Sequence, residues 1–563
     1  MKLQNSRPKF ESLYNKFKLN LQPDLVIDNT QTCLAWAEEK YFIGGKTFSL
    51  KGRHYLKEII DCSYSSDPLD VTVMKSSQCG VSEIAVLLSY FFMDIFQENV
   101  FYGFPNNDGI GAFVQSRIQP RIDDSMYLTE QFNKVANVKL KQLRNAFLFL
   151  RGTNSPSSIK SADCEFVIWD ELDEMKQAHV PILERRLGDS ELKKYRWKLK
   201  LSTPTYPDYG IHWEFLKTDQ RRYHQICEHC GEDQVMDFFK NVIPEPTREQ
   251  RPPEFEPRYI CQHCGKDFNN KKTGTWIPDK PENKPRGYHV SKLFSEKASV
   301  LWESYRDCKD ELEVEAFHNH DLGEPYAQAG SKLSMSDILG CIDIYNRQTR
   351  TNIYMGVDVG KGLNVTIFQK TETANLIEAV VVTDFEELDQ FMIKYSIVKC
   401  VIDALPETRK AREFQKRFEG RVVLCFYSLS DQSKYFEFNE DTGIVRAQRT
   451  NIMERVMNNV KQKKYKFYPE IKDNTAFKEQ MMAPQKVHVK DEKTGNMFYQ
   501  FLEGNKPDHY YHAVVYAEIA MDRAAPVSGR IETEYINEPG QDQYSEAEED
   551  FNEGFDDWGS SDF

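Results

Sequence analysis

The pattern of apolar and polar positions between residues 71 and 96 predicts a strand, a loop and a helix in direct succession. Residues 71–74 are apolar or β-branched, as in a buried strand. Residues 75–82 are small and polar with one glycine, and residues 84–96 form an apolar run of helical length. In such an arrangement the backbone N–H groups of the loop and the helix N-terminus face an anion. The stretch is therefore a candidate phosphate cradle.

The loop departs from the usual phosphate-binding string G-x-x-x-x-G-K-[ST]. The run Gly80-Val-Ser82 stands where Gly-Lys-Ser is expected, and Lys75 lies at the front of the loop instead. From there its ammonium could still reach the β- and γ-phosphates of ATP. An ordinary strand–turn–helix is the alternative. The candidate ATP-binding residues of this loop are Lys75, Ser76, Ser77, Gln78, Cys79, Gly80, Val81 and Ser82.

Two later strands end in residues that an ATPase needs at the same sheet edge. The apolar run 164–171 ends in Asp170 and Glu171. We expect Asp170 to hold Mg²⁺ through water and Glu171 to polarise the attacking water. A further strand leads into a hydroxyl-rich turn at Ser202 and Thr203. These two are candidates for sensing the γ-phosphate and coupling hydrolysis to movement, with a helix N-cap as the alternative.

Isolated basic and aromatic residues could complete this site. Arg185 or Arg186 could act as an arginine finger, in cis or on a neighbouring subunit, although a surface ion pair is the default for each. Arg117 and Arg121 could face phosphate or simply solvent. Tyr55 could stack on an adenine ring, but a packing aromatic is the favoured alternative.

Two C-x-x-C pairs, each followed by glycine, predict a structural zinc module at about residues 223–278. Four thiolates close a tetrahedral site, so this metal would have no open position for chemistry. His229 and His263 lie inside the pairs and could replace a cysteine, and redox-active dithiols are the main alternative. The predicted ligands are Cys227, Cys230, Cys261 and Cys264.

The pattern changes after residue 351. An apolar strand carries Asp358, two strands and a helix follow, and the next apolar strand ends in Asp403. This order is typical of an RNase H-like fold, in which acids gather around two divalent ions and cut a phosphodiester.

A late helix would add the third ligand to this centre. Asp508, His509 and His512 cluster at its start, and Asp508 and His512, four residues apart, share a helix face. Asp508 could instead be a helix N-cap.

Charge is unevenly distributed along the chain of 563 residues. Residues 531–563 hold twelve Asp/Glu and no Lys/Arg, so the remainder carries only about −2 of the net charge of −14. We interpret this stretch as a disordered interaction tail, or as a solubilising one. No signal peptide or bilayer-length apolar run is evident, and twelve cysteines suit thiols or metal ligands, so a cytosolic protein is expected.

The predicted fold class is α/β and multidomain. It comprises an N-terminal P-loop ATPase of the ASCE type with a parallel sheet, an inserted zinc-ribbon-like module, an RNase H-like nuclease and an acidic tail. The predicted divisions are an N-terminal segment 1–60, a motor 61–325, a linker 326–350, a nuclease 351–528 and the tail 529–563.

The ordered set of motifs resembles the large terminase subunit of tailed bacteriophages, in its lambda-type (GpA-like) branch, from about residue 36 to 520. An early lysine is expected in that family. The matching strings, besides the cysteine pairs, are Lys75-Ser-Ser-Gln-Cys-Gly-Val-Ser-Glu83, Ile168-Trp-Asp-Glu-Leu-Asp173, Ser202-Thr-Pro-Thr205, Arg286-Gly-Tyr-His-Val-Ser-Lys-Leu-Phe294, Phe317-His-Asn-His-Asp-Leu-Gly-Glu324, Gly356-Val-Asp-Val359 and Val401-Ile-Asp403.

The resemblance implies an ATP-driven motor that packages DNA into a procapsid, joined to a Mg²⁺- or Mn²⁺-dependent nuclease that cuts concatemeric DNA. It implies double-stranded DNA, a small terminase subunit, the portal ring and further copies of the chain as partners, with the acidic tail as a portal-docking segment. The expected location is the host cytoplasm and, transiently, the procapsid portal, with no membrane association. One departure is that His512 occupies the place of an aspartate in the family's late helix.

Other classes of function remain open from the sequence. An ATP-dependent helicase or repair nuclease would normally show a second motor domain. A transposase-like nuclease would not need Lys75, Asp170 and Glu171. A zinc-stapled DNA-binding scaffold would have neither activity, and ATPase and nicking assays would distinguish it.

Overall fold

The computed structural model describes most of the chain between residues 32 and 522. The predicted acidic tail, 529–563, and residues 1–31 of the N-terminal segment lie outside the described residues. The described ranges are 32–61, 69–132, 137–160, 162–187, 195–242, 257–270, 273–328, 330–348, 351–431, 433–490, 497–502 and 504–522.

A ten-stranded sheet organises the first part of the molecule, after a small hairpin of β1 (Phe42–Ile43) and β2 (Lys46–Thr47). Its strands lie in the order β10-β9-β12-β3-β8-β7-β4-β6-β5, and β11 pairs with β9. They are β3 (Asp70–Lys75), β4 (Val100–Phe104), β5 (Leu140–Leu143), β6 (Ala146–Gly152), β7 (Phe166–Asp170), β8 (Trp197–Ser202), β9 (Arg221–Ile226), β10 (Asp233–Val235), β11 (Thr275–Pro278) and β12 (Arg286–Val290).

The centre of this sheet is parallel. β8 pairs in parallel with β3 on one side and β7 on the other, so the carboxyl ends of these three strands lie side by side. These strands are almost wholly buried, as expected for a parallel sheet covered on both faces. The arrangement brings the three predicted sequence signals to one edge.

Helices and shorter helical turns cover both faces of the first sheet. A π-helical turn, Phe317–Leu322, ends this part and packs close to β12 and β3. The α-helices are Cys33–Lys40, Lys57–Asp61, Val81–Ile95, Ile110–Phe113, Gln119–Asp123, Met126–Gln131, Pro156–Lys160, Val180–Glu184, Gly210–Leu216, Phe238–Asn241, Ala298–Arg306 and Glu311–Ala316. The other helical turns are His54–Leu56, Val114–Ile118, Leu172–Glu174, Gln177–His179, Arg185–Leu187 and Lys292–Phe294.

An eight-stranded mixed sheet organises the second part, in the order β18-β19-β17-β16-β13-β14-β15-β20. β13, β14 and β15 are antiparallel neighbours, whereas β16 pairs in parallel with β13. The strands are β13 (Ile353–Val359), β14 (Leu363–Lys370), β15 (Ala374–Val382), β16 (Lys399–Asp403), β17 (Val422–Phe426), β18 (Phe436–Asn439), β19 (Ile444–Ala447) and β20 (Tyr465–Lys466). The predicted order of hairpins, helix and acid-tipped strand is present.

The C-terminal helix (His509–Asp522) lies directly on β13. Gly356 permits this contact, because a Cβ there would stand 2.0 Å from the carbonyl oxygen of Ala513 and 2.3 Å from the nitrogen of Ala517. The other helices of this part are Met335–Leu339, Phe385–Lys394, Thr408–Arg417, Arg449–Lys461, Pro469–Asp473 and Thr475–Met482. Because Gly356 has no side chain, the helix packs directly against β13, the strand that carries Asp358.

A hairpin of β21 (Lys486–Lys490) and β22 (Met497–Phe501) joins the two parts. The Lys486 amide donates to the Ser331 carbonyl at 2.8 Å, and the Tyr206 hydroxyl donates to the His488 carbonyl at 3.3 Å. Beyond the hairpin, Lys506 forms an ion pair of 2.8 Å with Asp208.

Among the helices that the structure describes, none has the length and apolar character needed to cross a bilayer.

Candidate functional site

The loop formed by residues 75–82, hereafter the 75–82 loop, joins β3 to the helix Val81–Ile95. Gly80 precedes the first helical residue with a φ of 91°, a left-handed conformation that glycine adopts without strain. A Cβ at this position would also stand 2.6 Å from Nη1 of Arg53. The sequence signal of one glycine among small polar residues thus corresponds to a turn that needs glycine.

Not every N–H group of this loop is free to bind an anion. The amide of Ser76 donates to the Val290 carbonyl and that of Ser77 to the His320 carbonyl, each at 2.8 Å. The remaining residues, Gln78 to Ser82, line a cavity of about 120 Å³ together with Lys75, Ser77, Arg117 and Glu171. The rear of the loop is therefore the anion-facing part, while the front is anchored to neighbouring elements.

Lys75 and Glu171 form the charged core of this cavity. Lys75 is buried, and its Nζ donates to Oε1 of Glu171 at 2.9 Å. Burial disfavours the ammonium, but the nearby carboxylates of Glu171 and Asp170 outweigh it, so the pKa of Lys75 is raised. Lys75 therefore carries a positive charge at physiological pH, on the floor of an anion-sized cavity.

Asp170 lies at the tip of β7 and is also buried. It accepts hydrogen bonds from the Tyr102 hydroxyl at 2.7 Å and from the Ser82 hydroxyl at 3.3 Å. Burial, and next the charge of Glu171, raise the pKa of Asp170 to about 6, while Lys75 acts in the opposite direction. Ser82 and Asp170 are thus two oxygen-bearing side chains in contact with each other, and oxygen atoms are the ligands that Mg²⁺ prefers.

The turn after β8 lies beside Glu171. Oε2 of Glu171 lies 3.5 Å from both the Ser202 hydroxyl and the Thr203 amide. Glu171 has a φ of 57°, a left-handed conformation unusual for a residue with a side chain. The structure therefore brings Lys75, Asp170, Glu171, Ser202 and Thr203 together.

Asp173 ties the same turn to the acid-bearing strand. It accepts from the Thr205 amide and hydroxyl, each at 2.8 Å, and from the Ile211 amide at 2.6 Å. Burial raises the pKa of Asp173 to about 7 despite these hydrogen bonds. Sequence reasoning did not assign this residue a role, although its place in Asp170-Glu-Leu-Asp173 was visible.

One predicted participant lies elsewhere, and this prediction is corrected. Tyr55 is only 2% exposed and packs against Tyr223 and Phe294, with its hydroxyl donating to the Cys79 carbonyl at 3.1 Å. It supports the loop from behind and cannot stack on a ligand.

Neither predicted arginine lines the cavity of its own chain, whereas the alternative of a finger acting on a neighbouring subunit stays a prediction. Arg185 is exposed on the turn Arg185–Leu187, and Nε of Arg186 donates to the Ala162 carbonyl at 3.3 Å. Arg117 lines the cavity instead, and Arg53 and Arg121 line an adjoining space of about 480 Å³. Arg53 was not predicted, because it lies just before the short helical turn His54–Leu56, where no sequence pattern indicates phosphate binding.

The four cysteines of the predicted zinc module converge at the edge of the first sheet. Their sulfur atoms all lie within 4.8 Å of one another, with 3.9 Å between Cys227 and Cys264 and 3.8 Å between Cys230 and Cys261. A tetrahedral zinc–thiolate site with bonds of about 2.3 Å requires sulfur atoms about 3.8 Å apart. The four residues therefore fit a zinc ion.

Each C-x-x-C pair forms the same tight turn. Gly231 and Gly265 have φ values of 76° and 69°, and their amides donate to the carbonyls of Cys227 and Cys261 at 2.9 Å. The amides of His229 and His263 point at the sulfur of the first cysteine in each pair at 3.4 Å. The histidine rings do not belong to the cluster, so the alternative of a histidine ligand is not supported.

The acids of the second sheet are arranged differently. Asp358, on β13, is buried and lies 2.9 Å from Nδ1 of His509. Asp403, at the end of β16, accepts from the Leu405 amide at 3.0 Å. Burial raises the pKa of Asp403 to about 6, and the negative charge of Asp358 acts in the same direction. The two carboxylates therefore share one neighbourhood.

Asp508 immediately precedes the C-terminal helix and pairs with His512, whose Nε2 lies 3.3 Å from its carboxylate. Nδ1 of His512 lies 2.8 Å from the Tyr427 hydroxyl. The hydrogen bond and charge of His512 outweigh burial, so the pKa of Asp508 is lowered. Both ring nitrogens of His512 are thus engaged.

Carboxylates suit Mg²⁺ and Mn²⁺ by their hard oxygen atoms. Among the described residues, however, the four cysteines are the sole group of three or more potential ligands already close enough to hold a metal. Asp358, Asp403 and Asp508 thus have the right donor chemistry but do not converge on one point.

Comparison with known proteins agrees with this geometry. Residues 48–277 match the family model described as the phage terminase large subunit gpA, ATPase domain. The protein is 22% identical over 233 residues to the "Terminase, large subunit" of Escherichia phage lambda, an alignment that covers 38% of this chain. The chain spans about a third, 36%, of the length of that relative.

The fold is similar to the crystal structure of the HK97 bacteriophage large terminase. The match has a TM-score of 0.53 at 9% sequence identity, and it covers 86% of this chain and 98% of that one. It therefore spans both sheets. The resemblance to a lambda-type terminase is confirmed, and it rests on the match of residues 48–277 to the ATPase-domain model of the phage terminase large subunit gpA and on the similarity to the lambda protein.

Proposed function

We propose that the protein is a large terminase subunit that uses ATP hydrolysis to move double-stranded DNA into a procapsid and cuts that DNA with a second, metal-dependent centre. The observation that carries this proposal is the meeting of Lys75 and Glu171 in one anion-sized cavity, where Asp170 contacts the lining residue Ser82 and Ser202 lies beside Glu171. That cavity lies within the segment matched by the terminase ATPase family.

In the nucleotide centre the 75–82 loop acts as a P-loop of the ASCE type. The placement of β8 between β3 and β7 supports this assignment. Lys75 leaves Glu171 to contact the β- and γ-phosphates, and the N–H groups of Gln78 to Ser82 bind phosphate oxygens.

The remaining groups act on water and metal. Ser82 and Asp170 would hold Mg²⁺, which neutralises charge developing on the phosphates. Glu171, released from Lys75, orients the attacking water. Ser202 and Thr203, which lie beside Glu171, respond when Glu171 exchanges Lys75 for the water. Arg117 is the candidate for stabilising negative charge from the same chain, since it lines the cavity.

In the nuclease centre Asp358, Asp403 and Asp508 would hold divalent ions, which activate water and stabilise the leaving oxygen when bound. An RNase H-like fold is supported by the strand order β15-β14-β13-β16-β17. His509 and His512 keep two of these carboxylates oriented through their ring nitrogens.

The zinc module is structural. Four thiolates leave no open position, so zinc would fasten the β9–β10 turn to the segment around Cys261 and take no part in chemistry. The module occupies about residues 223–278, inside a motor of residues 61–325 that follows the N-terminal segment 1–60. A linker of residues 326–350 and a nuclease of residues 351–528 come next.

The partners follow from the proposed activity. We expect double-stranded DNA, a small terminase subunit, the portal ring and further copies of the chain, acting in the host cytoplasm and at the procapsid portal. The acidic tail, 529–563, is proposed to dock on the portal. The lambda relative carries the name of a terminase large subunit, which supports this assignment.

Paired variants test the two activities in the full chain. Lys75→Ala should abolish ATP hydrolysis and leave plasmid nicking in Mn²⁺ intact, whereas Asp358→Ala should do the reverse. Each variant serves as the folding control for the other. Equal nicking by wild type and Asp358→Ala would refute the nuclease assignment, and absence of both activities in wild type would favour a zinc-stapled scaffold.

A further inference from the structure

The segment Phe317-His-Asn-His-Asp-Leu-Gly-Glu324 has no role in the function proposed above, yet it touches the nucleotide centre. It forms the π-helical turn Phe317–Leu322, and Gly323 ends it with a φ of 70°. A Cβ on Gly323 would stand 2.6 Å from the Ser76 nitrogen and 2.9 Å from the Lys75 carbonyl carbon. The turn thus lies against the front of the 75–82 loop with no space between the two backbones.

Two hydrogen bonds join this turn to a single loop residue. The Ser77 amide donates to the His320 carbonyl at 2.8 Å, and the Ser77 hydroxyl lies 2.9 Å from Nδ1 of His320. Backbone and side chain of Ser77 are therefore both held by one residue 243 positions away. Such a pair of contacts fixes the direction in which the loop leaves β3.

His320 is itself held in place by its neighbours. Asp321 forms an ion pair with Lys292 and accepts from the Ser304 hydroxyl. On the other side, Nε2 of His289 lies 3.1 Å from the Leu322 carbonyl. The π-helical turn is therefore anchored by the two residues that follow His320, which holds the backbone that carries the ring beside Ser77.

The charges of the nucleotide centre also act on His320. Partial burial lowers the pKa of His320, the carboxylates of Asp321 and Glu171 oppose that shift, and Lys292 and Lys75 contribute to it. His320 therefore lies close enough to sense the lysine and the acid of the proposed ATPase centre. In the neutral ring Nδ1 can accept the proton of the Ser77 hydroxyl.

We propose that His320 is a positioning residue of the nucleotide site, which fixes the front of the 75–82 loop through Ser77 so that Lys75 faces the bound phosphates. This role rests on the proposed ATPase function. His320 does not line the cavity and touches no reacting atom, so it acts through Ser77 alone.

The test compares Ser77→Ala, His320→Ala and the double variant in the full chain. One hydrogen bond contributes about 1 kcal/mol, or about fivefold in an equilibrium constant. Binding of a fluorescent ATP analogue should weaken about fivefold in each single variant, with KM rising in parallel and kcat changing less than twofold. Because both substitutions remove the same contact, the double variant should be no weaker than either single one.

His320→Asn supplies the rescue, since its amide can stand near the position of Nδ1. We expect it to bind nucleotide within about twofold of wild type. His318→Ala is the matched control, because His318 lies in the same turn but contacts Tyr326 and Glu324 instead of the loop. It should leave nucleotide affinity unchanged.

Three results would overturn the proposal: wild-type affinity in His320→Ala, multiplied effects in the double variant, or an equal loss in His318→Ala. A purely structural role would lower the melting temperature without the asparagine rescue of affinity. Failure of the ATPase assignment itself gives another result, in which Lys75→Ala binds and hydrolyses ATP as wild type does.

Discussion

The chain contains two candidate metal centres that differ in how their ligands are brought together. The four cysteine sulfurs already lie within 4.8 Å of one another, held by two short turns of the same design. The three acids of the proposed nuclease come from β13, the end of β16 and the residue before the C-terminal helix, and each has another partner. The ligands of the first centre are already close together, whereas those of the second are separated.

Local sequence explains the difference. A C-x-x-C-G turn spans five residues, so its geometry forms wherever the turn forms. The acids depend on the packing of a helix against a strand more than 150 residues away, at Gly356. A structural metal site gains from being complete and closed, whereas a site that must admit a phosphodiester and exchange ions cannot be closed.

The largest expected effect is on the preassembled centre. Cys230→Ala should release the zinc and unfold the module locally, since structural zinc contributes about 10 kcal/mol in small zinc-binding peptides. Metal analysis should find one zinc per chain in wild type and none in the variant, and proteolysis should appear between residues 223 and 278. Cys341→Ala, which alters a buried thiol outside the cluster, should keep its zinc.

The next effect concerns the contact that positions the acids. Gly356→Ala places a methyl group against the backbone of the C-terminal helix, which cannot yield, so we expect a loss of about 3 kcal/mol in the free energy of unfolding and loss of nicking. Denaturant unfolding measures the loss of stability, and zinc analysis tests the cysteine cluster, whose zinc content should not change. Gly504→Ala is the control, as nothing lies within 4 Å of its Cβ position. Wild-type nicking by Gly356→Ala would contradict the packing argument.

A third experiment supplies the missing ligand. His512→Asp adds a hard oxygen donor beside Asp508, so the Mn²⁺ concentration for half-maximal nicking should fall about tenfold. His512→Asn, which has a similar shape but no charge, should not lower it. If the aspartate variant required more Mn²⁺ than wild type, His512 itself would be the better ligand.

A pH dependence is expected for Mn²⁺ binding at the proposed nuclease centre. Asp403 has a pKa of about 6, so below pH 6 protons compete with Mn²⁺, and its apparent affinity should fall up to about tenfold per pH unit. Above pH 7 the apparent affinity for Mn²⁺ should be constant. Calorimetric Mn²⁺ titrations from pH 5 to 8 measure this directly.

The same shift affects stability without divalent ions. Because the folded pKa of Asp403 exceeds that of an unfolded aspartate, about 3.9, its stabilising contribution is complete below pH 4 and is lost as pH rises through about 6. Asp403→Asn should reduce that slope in divalent-free buffer, as measured by denaturant unfolding at pH 4 and 7, whereas Asp170 and Asp173, whose pKa values are also raised, should maintain the remainder. An unchanged slope would mean that another group titrates.

Much of the fold could be predicted from sequence because its signals are local. The apolar strands around residues 71, 166 and 353, the acids on the latter two and the glycine in the 75–82 loop all follow from short-range pattern. In the first sheet, β3, β8 and β7 meet at one edge because they pair in parallel. Each residue of the cysteine cluster could be predicted, because the C-x-x-C spacing of the ligands determines the turn that brings their sulfur atoms together.

Other features depend on contacts that a sequence does not display. Tyr55 carries the same aromatic ring whether it stacks on a ligand or packs in the core, and only tertiary structure places it behind Cys79. Arg185 and Arg186 have the right charge but lie on a turn away from the cavity, whereas Arg53 reaches Gly80. The link between Ser77 and His320 spans almost half of the chain.

The ion pair between Lys506 and Asp208 has a consequence for how the two halves work together. It is partly exposed, with 44% and 28% of the two side chains accessible, and such pairs contribute at most about 1 kcal/mol. Yet Lys506 stands two residues before Asp508, and Asp208 stands five residues after Thr203. Ordinary changes in ionic strength can loosen this contact, so we expect the salt concentration of the solution to affect how firmly the segment before Asp508 is held against the turn after Thr203.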